Sequence, residues 1–437
     1  MRTRLFVGVM ASVGAVALAL AATGVAKVGG PKSAQVLPAS SCGPLQYGGS
    51  GKPQYIVASD LPLQGSSRSQ TIEMTKAILF QLKSSGWKAG KYTVGYQSCD
   101  DSTAQAGKWD PAKCSANAGN YARDQQVIAV IGTFNSGCAE IEVPVANRAS
   151  LGYVSPANTY IGLTHRPALP GEPNKYYPTG KRNYARVVAA DDFQGSANVL
   201  LVKQLGLKSV YILNDKEAYG FGIASAFRNV AANGSVGVKV AGFTAWDPKA
   251  SSYQDIATKI KNSGAQAIFL GGLECENGGK LVKDLKAGVP NATLVAPDGF
   301  SSFKDTIKDA GSASEGMYIS IAGQPYKFLS PAGKKFAADF GKSIGLAAAK
   351  VNPYSNYGAT AMQVVLAAIA KSGGNRASVA SHLFNASFTN TPIGNFKLNQ
   401  NGDTNAGAIS FYQIKNGQAP FLKLISPPAS LVALAKP

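Results

Sequence analysis

The stretch Thr133-Phe134-Asn135-Ser136-Gly137-Cys138 sets a hydroxyl, a thiol and a flexible glycine behind the apolar run Val127–Ile131 and ahead of the helical pattern Cys138–Arg148. A turn of this kind supports two chemistries. Ser136 or Cys138 can act as a nucleophile if a base activates it. The same turn can cradle an anion, because the first N–H groups of a helix lack intrahelical acceptors and the positive end of its dipole faces them. The available bases decide between the two. The chain has two histidines: His165 in a Pro-rich loop and His382 in a late Ala/Ser-rich helix, neither at the end of a strand. No H-x-x-x-H pattern, Cys/His cluster or spaced run of carboxylates marks a metal site. Glu274-Cys275-Glu276 is a local cluster too small to serve as one. The residues read as a binding cradle without catalysis, and no metal or other cofactor is expected.

Three further residues complete that reading. Thr159 follows another short strand-like segment and offers a second hydroxyl. With Ser136 and the N–H groups of the helix, it suits a carboxylate that has no full opposing charge. Asp298 lies behind the strand-like Thr293–Val295 and can face an ammonium group, while Tyr219 can lie flat against a ligand. The ligand this set implies is a small zwitterion, an amino acid or an analogue. The plainer reading is that Ser136, Thr159 and Asp298 are helix caps, which such residues commonly are.

The elements that must position these side chains alternate along the chain. Strand-like Tyr55–Ser59, Tyr92–Gln97, Val127–Ile131 and Gly152–Val154 are interleaved with helical Ser69–Ser85, Pro111–Arg123 and Cys138–Arg148. After a long Pro/Gly-containing loop the alternation restarts with helix Asp192–Leu205 and runs to Thr293–Val295. Mostly helical residues 332–385 follow, then β-rich segments near Phe396, Ala408–Ile414 and Phe421–Ile425. Such alternation predicts parallel sheets covered on both faces. The fold class expected is α/β, with two doubly wound parallel-sheet lobes. Ligands of such sheets bind beyond the carboxyl ends of the strands, which is where Ser136, Thr159, Tyr219 and Asp298 stand.

The leader and the charge bound the setting. Arg2 and Arg4 precede an uncharged run, Leu5–Ala26, that ends in small residues, so residues 1–26 read as a signal peptide cleaved near Ala26. Residues 27–53, rich in Gly, Pro and Ser, read as a flexible tether. The net charge of +19 falls to +17 with loss of Arg2 and Arg4. The charge is scattered; its densest patch, Lys175–Arg186, reads as a solvated basic loop, and no nucleic-acid motif accompanies it. An exported chain can form disulfides. Of the five cysteines, Cys275 is left over. Fifteen residues, 27–41, separate Cys42 from the apolar run, too many for a lipid anchor, and Cys42 is a disulfide candidate. Four cysteines allow three connectivities. Cys99 and Cys114 flank an insertion at 98–114 and Cys138 follows the cradle, which suggests a bond from Cys99 to Cys138 or Cys114.

In order and spacing, the chain from about Tyr55 to about Leu424 resembles type I periplasmic binding proteins of the leucine/isoleucine/valine-binding group, the substrate-binding components of ABC importers. Ser59-Asp60-Leu61-Pro62-Leu63-Gln64-Gly65 resembles the family's first strand and turn. Val130-Ile131-Gly132 with Ser136, and Val154-Ser155-Pro156-Ala157-Asn158-Thr159, resemble its carboxylate loops. Asp215-Lys216 with Tyr219-Gly220, Phe269-Leu270-Gly271-Gly272, Pro297-Asp298-Gly299 and Glu315-Gly316-Met317 follow in the family's order. The resemblance implies that Ser136 and Thr159 hold a ligand carboxylate with the backbone of Asn158 alongside, that an aromatic ring packs at Tyr219, and that Asp298 takes the ammonium. Asp298 stands where leucine-type members carry Glu. Leu273-Glu274-Cys275-Glu276 replaces an aromatic, so Glu274 near the cleft would favour a more polar or cationic ligand. The resemblance further implies two lobes joined by a hinge, 54–190 with 323–405 and 191–322 with 406–427, an exported monomer at the periplasm or cell surface, and an ABC permease as partner. A ligand-sensing module that signals to a membrane receptor or kinase is the alternative.

Overall fold

The computed structural model describes residues 37–165 and 169–436. The leader, 1–26, and the first part of the expected tether, 27–36, lie outside them. The described residues build two large sheets. The first runs Lys88–Ala89, Tyr92–Asp100, Tyr55–Leu61, Val127–Gly132, Gly152–Ser155, Tyr184–Arg186. All of its neighbours are parallel except the short hairpin at its edge. Every residue of Val127–Gly132 is buried, as a strand covered on both faces requires. The second sheet runs Lys239–Ala245, Ser209–Asn214, Ala267–Gly271, Thr293–Ala296, Tyr318–Ile321, Ile409–Gln413, Phe421–Ile425, with its last two strands antiparallel.

In both sheets, leaving aside the short edge strand Lys88–Ala89, the first strand in sequence lies between the second and the third. Loops leaving adjacent strands on either side of that point diverge, which opens a crevice at the carboxyl end of the sheet. One crevice lies between Tyr55–Leu61 and Val127–Gly132, the other between Ser209–Asn214 and Ala267–Gly271.

The chain crosses between the lobes three times, after Arg186, after Ile321 and before Ile409. After the second crossing, helix Pro353–Lys371 returns to pack on helix Arg68–Ser84. Asn352 caps it with its side chain and Pro353 occupies its first turn, where a missing N–H costs nothing. The first and third crossings are pinned by Arg186, which is fully buried. It donates to Asp403 Oδ1 at 2.8 Å and to the Tyr160 carbonyl at 2.8 Å. Burial opposes the charge of Asp403, but the Arg186 guanidinium and His165 hold its carboxyl well below the usual range.

Two expectations need correction. Residues 37–53 are not a free tether: Cys42 and Gln46 bridge to Cys99 and Tyr96 on the strand Tyr92–Asp100, whose edge offers unpaired backbone groups. That pairing sets Cys42 beside Cys99, and the two form a disulfide. Cys114 bonds Cys138, because both lie in the first turns of two paired helices, Pro111–Arg123 and Ser136–Arg148. Cys99 therefore bonds neither Cys114 nor Cys138, and Cys275 is the free cysteine. The insertion between the disulfides is a hairpin, Ser102–Thr103 with Lys108–Trp109. A short terminal helix, Ala429–Leu434, packs on Asp191–Gln204 and Ala218–Ala231. Among the described residues no helix is long and apolar enough to cross a membrane.

Candidate functional site

The first-lobe wall is two loops tied together through Ser155. Its hydroxyl donates to the Thr133 carbonyl at 2.8 Å and accepts from the N–H groups of Ala157 and Asn158 at 3.1 and 2.7 Å. The Ser136 turn and the Thr159 turn are thus fixed side by side. Ser136 opens its helix, two residues earlier in the chain than the apolar pattern suggests. The residue before it, Asn135, makes no side-chain cap bond. Ser136 Oγ accepts from the Tyr160 N–H at 3.4 Å, so it is oriented by the neighbouring loop and is not a cap for its own helix.

The second-lobe wall is built around Asp298, just beyond the strand Thr293–Ala296. Tyr219 donates its hydroxyl to Asp298 Oδ1 at 2.6 Å and accepts from the Gly299 N–H at 2.9 Å. Gly299 approaches the Gly272 carbonyl so closely that an added Cβ would stand 2.1 Å from that oxygen; only glycine fits. With its amide nitrogen turned toward the carboxylate, Gln194 donates to Asp298 Oδ1 at 2.9 Å and accepts from the Asp298 N–H at 3.1 Å. Tyr354, at the head of the first-lobe helix Pro353–Lys371, donates to Asp298 Oδ2. This bond joins the lobes across the cleft.

Burial raises the Asp298 pKa, and the hydroxyls of Tyr219 and Tyr354 act against it. Close by, Asp191 is fully buried; its N–H donates to the Thr159 carbonyl at 2.8 Å and its carboxyl faces the Thr159 hydroxyl. Burial, and after it the charge of Asp298, raise the Asp191 pKa well above the ordinary value. Two buried carboxyls in one neighbourhood cannot both ionise cheaply, so a cation placed between the walls is favoured. Opposite Asp298, the first-turn N–H groups of Ser136–Arg148 and the Ser136 hydroxyl favour an anion, and Thr159, in contact with Asp191, lines the same side. The pocket between is lined by Phe134, Ser136, Thr159, Tyr219, Leu273, Asp298 and Tyr354, among others, and encloses about 30 Å³. That is room for about one or two waters, so the walls stand close together.

Ser136, Thr159, Tyr219, Leu273 and Asp298 come together as the sequence suggests. Asn158 and Glu274 do not line the pocket. The Asn158 N–H is taken by Ser155, and its carbonyl accepts from Arg186 at 3.2 Å. Glu274 faces Asp305, Lys308 and Asp309; burial and then Asp309 push its carboxyl up to about 8. Phe134, Asn135, Ala157, Ser301 and Tyr354 are pocket residues that the sequence reading does not single out. Phe134 and Asn135 lie inside the turn already marked. Tyr354 is separated from every marked loop in sequence, and its Asn-Pro helix start is the one local signal near it. His165 is held at a lobe crossing by Asp403, 2.9 Å from Nδ1, and His382 binds the Ser378 carbonyl. Neither lines the pocket.

A fold of two doubly wound lobes with donors on one wall and a carboxylate on the other defines a cleft-binding protein for small solutes. Residues 72–419 match the family Periplasmic binding protein, and the chain belongs to it. It is 26% identical over 309 residues to the Leu/Ile/Val-binding protein homolog 3 of Brucella melitensis, covering 70% of this chain and 78% of the relative. It is 28% identical over 311 residues to the Leu/Ile/Val-binding protein BraC3 of Rhizobium johnstonii, again covering 70% and 78%. The leucine binding protein LivK of Thermotoga maritima has the same fold, with a TM-score of 0.72 at 21% identity over 85% of this chain and 99% of that one. So does a solute binding protein of R. palustris solved with benzoate, with a TM-score of 0.67 at 19% identity over 85% and 96%. The family is one of exported substrate-binding proteins, not of enzymes, and this chain is a solute-binding protein.

Proposed function

We propose that the chain captures one small zwitterionic solute, an amino acid or close analogue, and presents it to an ABC permease. The solute carboxylate sits against Ser136, Thr159 and the first-turn N–H groups of Ser136–Arg148; its ammonium faces Asp298. The observation that carries this reading is the opposition of an anion-favouring wall and a cation-favouring wall across one pocket. The names of the curated relatives, which bind leucine, isoleucine and valine, support the same solute class. Residues 54–190 with 323–405, and 191–322 with 406–427, are the two bodies that part to admit the solute and close on it. The chain acts as an exported monomer, its leader removed near Ala26.

A thermal-shift screen against the amino acids, their amides, and benzoate and its hydroxylated analogues tests the proposal. A ligand at a hundred times its Kd adds about 2.7 kcal/mol of stability. Stabilisation by one group of amino acids is the expected result. Stabilisation by benzoates alone would show that the ligand needs no ammonium group, and no response to any amino acid refutes the zwitterion reading.

A further inference from the structure

The hairpin inserted between the disulfides reaches across the mouth of the cleft. Its base is fixed twice. Cys99, just before it, bonds Cys42, and Cys114, just after it, bonds Cys138 in the cradle helix. Its second strand is held from below, because Trp109 packs on the first turn of the cradle: an added Cβ on Gly137 would stand 2.5 Å from the indole ring. The tip leans on the turn after the first strand, where the Gly107 carbonyl accepts from the Ser66 N–H at 3.2 Å. From this braced platform Lys108 extends to the other lobe. Its ammonium pairs with Glu217 Oε1 at 3.2 Å and also with Glu276 Oε1.

Both acceptors are braced as well. The Glu217 N–H donates to Asp215 Oδ1 at 2.9 Å, and the Glu276 carbonyl accepts from Trp246 Nε1 at 2.8 Å. Each follows one of the two strands that flank the second-lobe crevice, two residues before Tyr219 and three after Leu273. Glu276 is only 4% exposed and Lys108 26%, so the pair is largely removed from water. None of the three lines the pocket.

We propose that residues 100–114 form a strap that closes the cleft, with Lys108 as the positioning residue that draws the second lobe down through Glu217 and Glu276. This rests on the reading of the chain as a two-lobed solute binder, but the strap acts whether or not a solute is present. The ammonium and the two carboxylates meet only when the lobes are together, so their attraction favours the closed arrangement. Opening leaves Glu276 and Glu217 as neighbouring like charges without their cation. Closing is therefore opposed by salt, which screens the partly exposed side of the pair.

The test uses the ligand-free full chain. Hydrogen exchange of segments 214–218 and 273–278 reports opening at the second-lobe rim, and small-angle scattering reports overall compaction. Lys108→Ala is expected to speed exchange in both segments about tenfold and to raise the radius of gyration. Lys108→Arg restores the parent behaviour, and Glu217→Gln shifts both readouts in the same direction. Combining Glu217→Gln with Lys108→Ala adds less than the sum of the single effects, since both remove one contact. Raising the salt from 0.05 to 0.5 M speeds exchange in the parent and leaves Lys108→Ala unchanged. Equal exchange and equal scattering for parent, Lys108→Ala and Glu217→Gln at both salt concentrations overturn the proposal. A parent that gains stability from an amino acid while these variants stay indistinguishable from it loses the strap and keeps the solute reading. A parent that no solute stabilises but that opens on Lys108→Ala keeps the strap and loses the solute reading.

Discussion

Asp298→Asn separates the zwitterion reading from its simpler rivals. The substitution keeps the size of the side chain and one acceptor oxygen, and removes the charge. In the closed cleft Asp298 already accepts from Tyr219 at 2.6 Å, from Tyr354, and from Gln194 at 2.9 Å. A carboxylate has about four acceptor positions, so roughly one remains for a solute ammonium. A hydrogen bond to a charged group contributes about 1.5–3 kcal/mol. Loss of that contact should therefore weaken binding of an amino acid by about 10- to 150-fold. The deaminated analogue never made the contact, and the neighbouring tyrosine hydroxyls can turn to suit the new amide. Its affinity should change by less than about threefold, or roughly 0.6 kcal/mol. Calorimetry on parent and variant with an amino acid found in the thermal screen and its deaminated counterpart, beginning with L-leucine and 4-methylpentanoate, gives both numbers. The parent carries a further signature. Burial raises the Asp298 pKa, so amino-acid affinity should fall as the pH drops into the raised carboxylate range, and in Asp298→Asn that dependence should disappear. Equal losses for the two ligands would refute the reasoning, as would full amino-acid affinity in the variant.

Ser136→Ala should weaken binding of the carboxylate-bearing ligand by about 10- to 100-fold with little change in melting temperature; unchanged affinity would reduce Ser136 to a structural residue. Mass mapping of unreduced peptides should find Cys42 with Cys99 and Cys114 with Cys138. Cys114→Ser should destabilise the chain by about 3 kcal/mol, from a closed loop of 24 residues and its entropy in the unfolded state. Beneath Cys138, the carboxyls of Asp60, Asp101 and Glu142 are buried together, faced by Asp100, Lys113, Tyr121, Tyr153 and Asn117; burial pushes all three up. The folded chain holds protons there that the unfolded chain releases. The stability they confer is complete below about pH 4 and is lost as the pH rises through their raised values. Denaturant unfolding should thus give a lower free energy at pH 8 than at pH 5, and Glu142→Gln should flatten the slope; a parent profile that rises with pH would contradict the burial argument.

The sequence by itself determined the alternation of strands and helices, since that depends on local apolar periodicity and on caps and prolines that act within a few residues. It also placed Ser136, Thr159, Tyr219, Leu273 and Asp298 at one site, because in a doubly wound sheet every parallel strand delivers its carboxyl end to the same edge. The helix start at Ser136 was misread by two residues because the first turn carries little apolar pattern. What the sequence could not decide were the pairings set by packing between distant segments. Cys42 reaches Cys99 because residues 37–46 run along the open edge of a strand, a backbone partnership that leaves no mark in side-chain type. Asn158 and Glu274 stand beside pocket residues in the chain but are turned into their own lobes by Ser155 and Arg186 and by the helix carrying Asp305 and Asp309. Tyr354 reaches Asp298 only because the chain crosses between the lobes and returns. A contact between residues so far apart in sequence is fixed by the packing of helix Pro353–Lys371 on Arg68–Ser84, and no local preference encodes it.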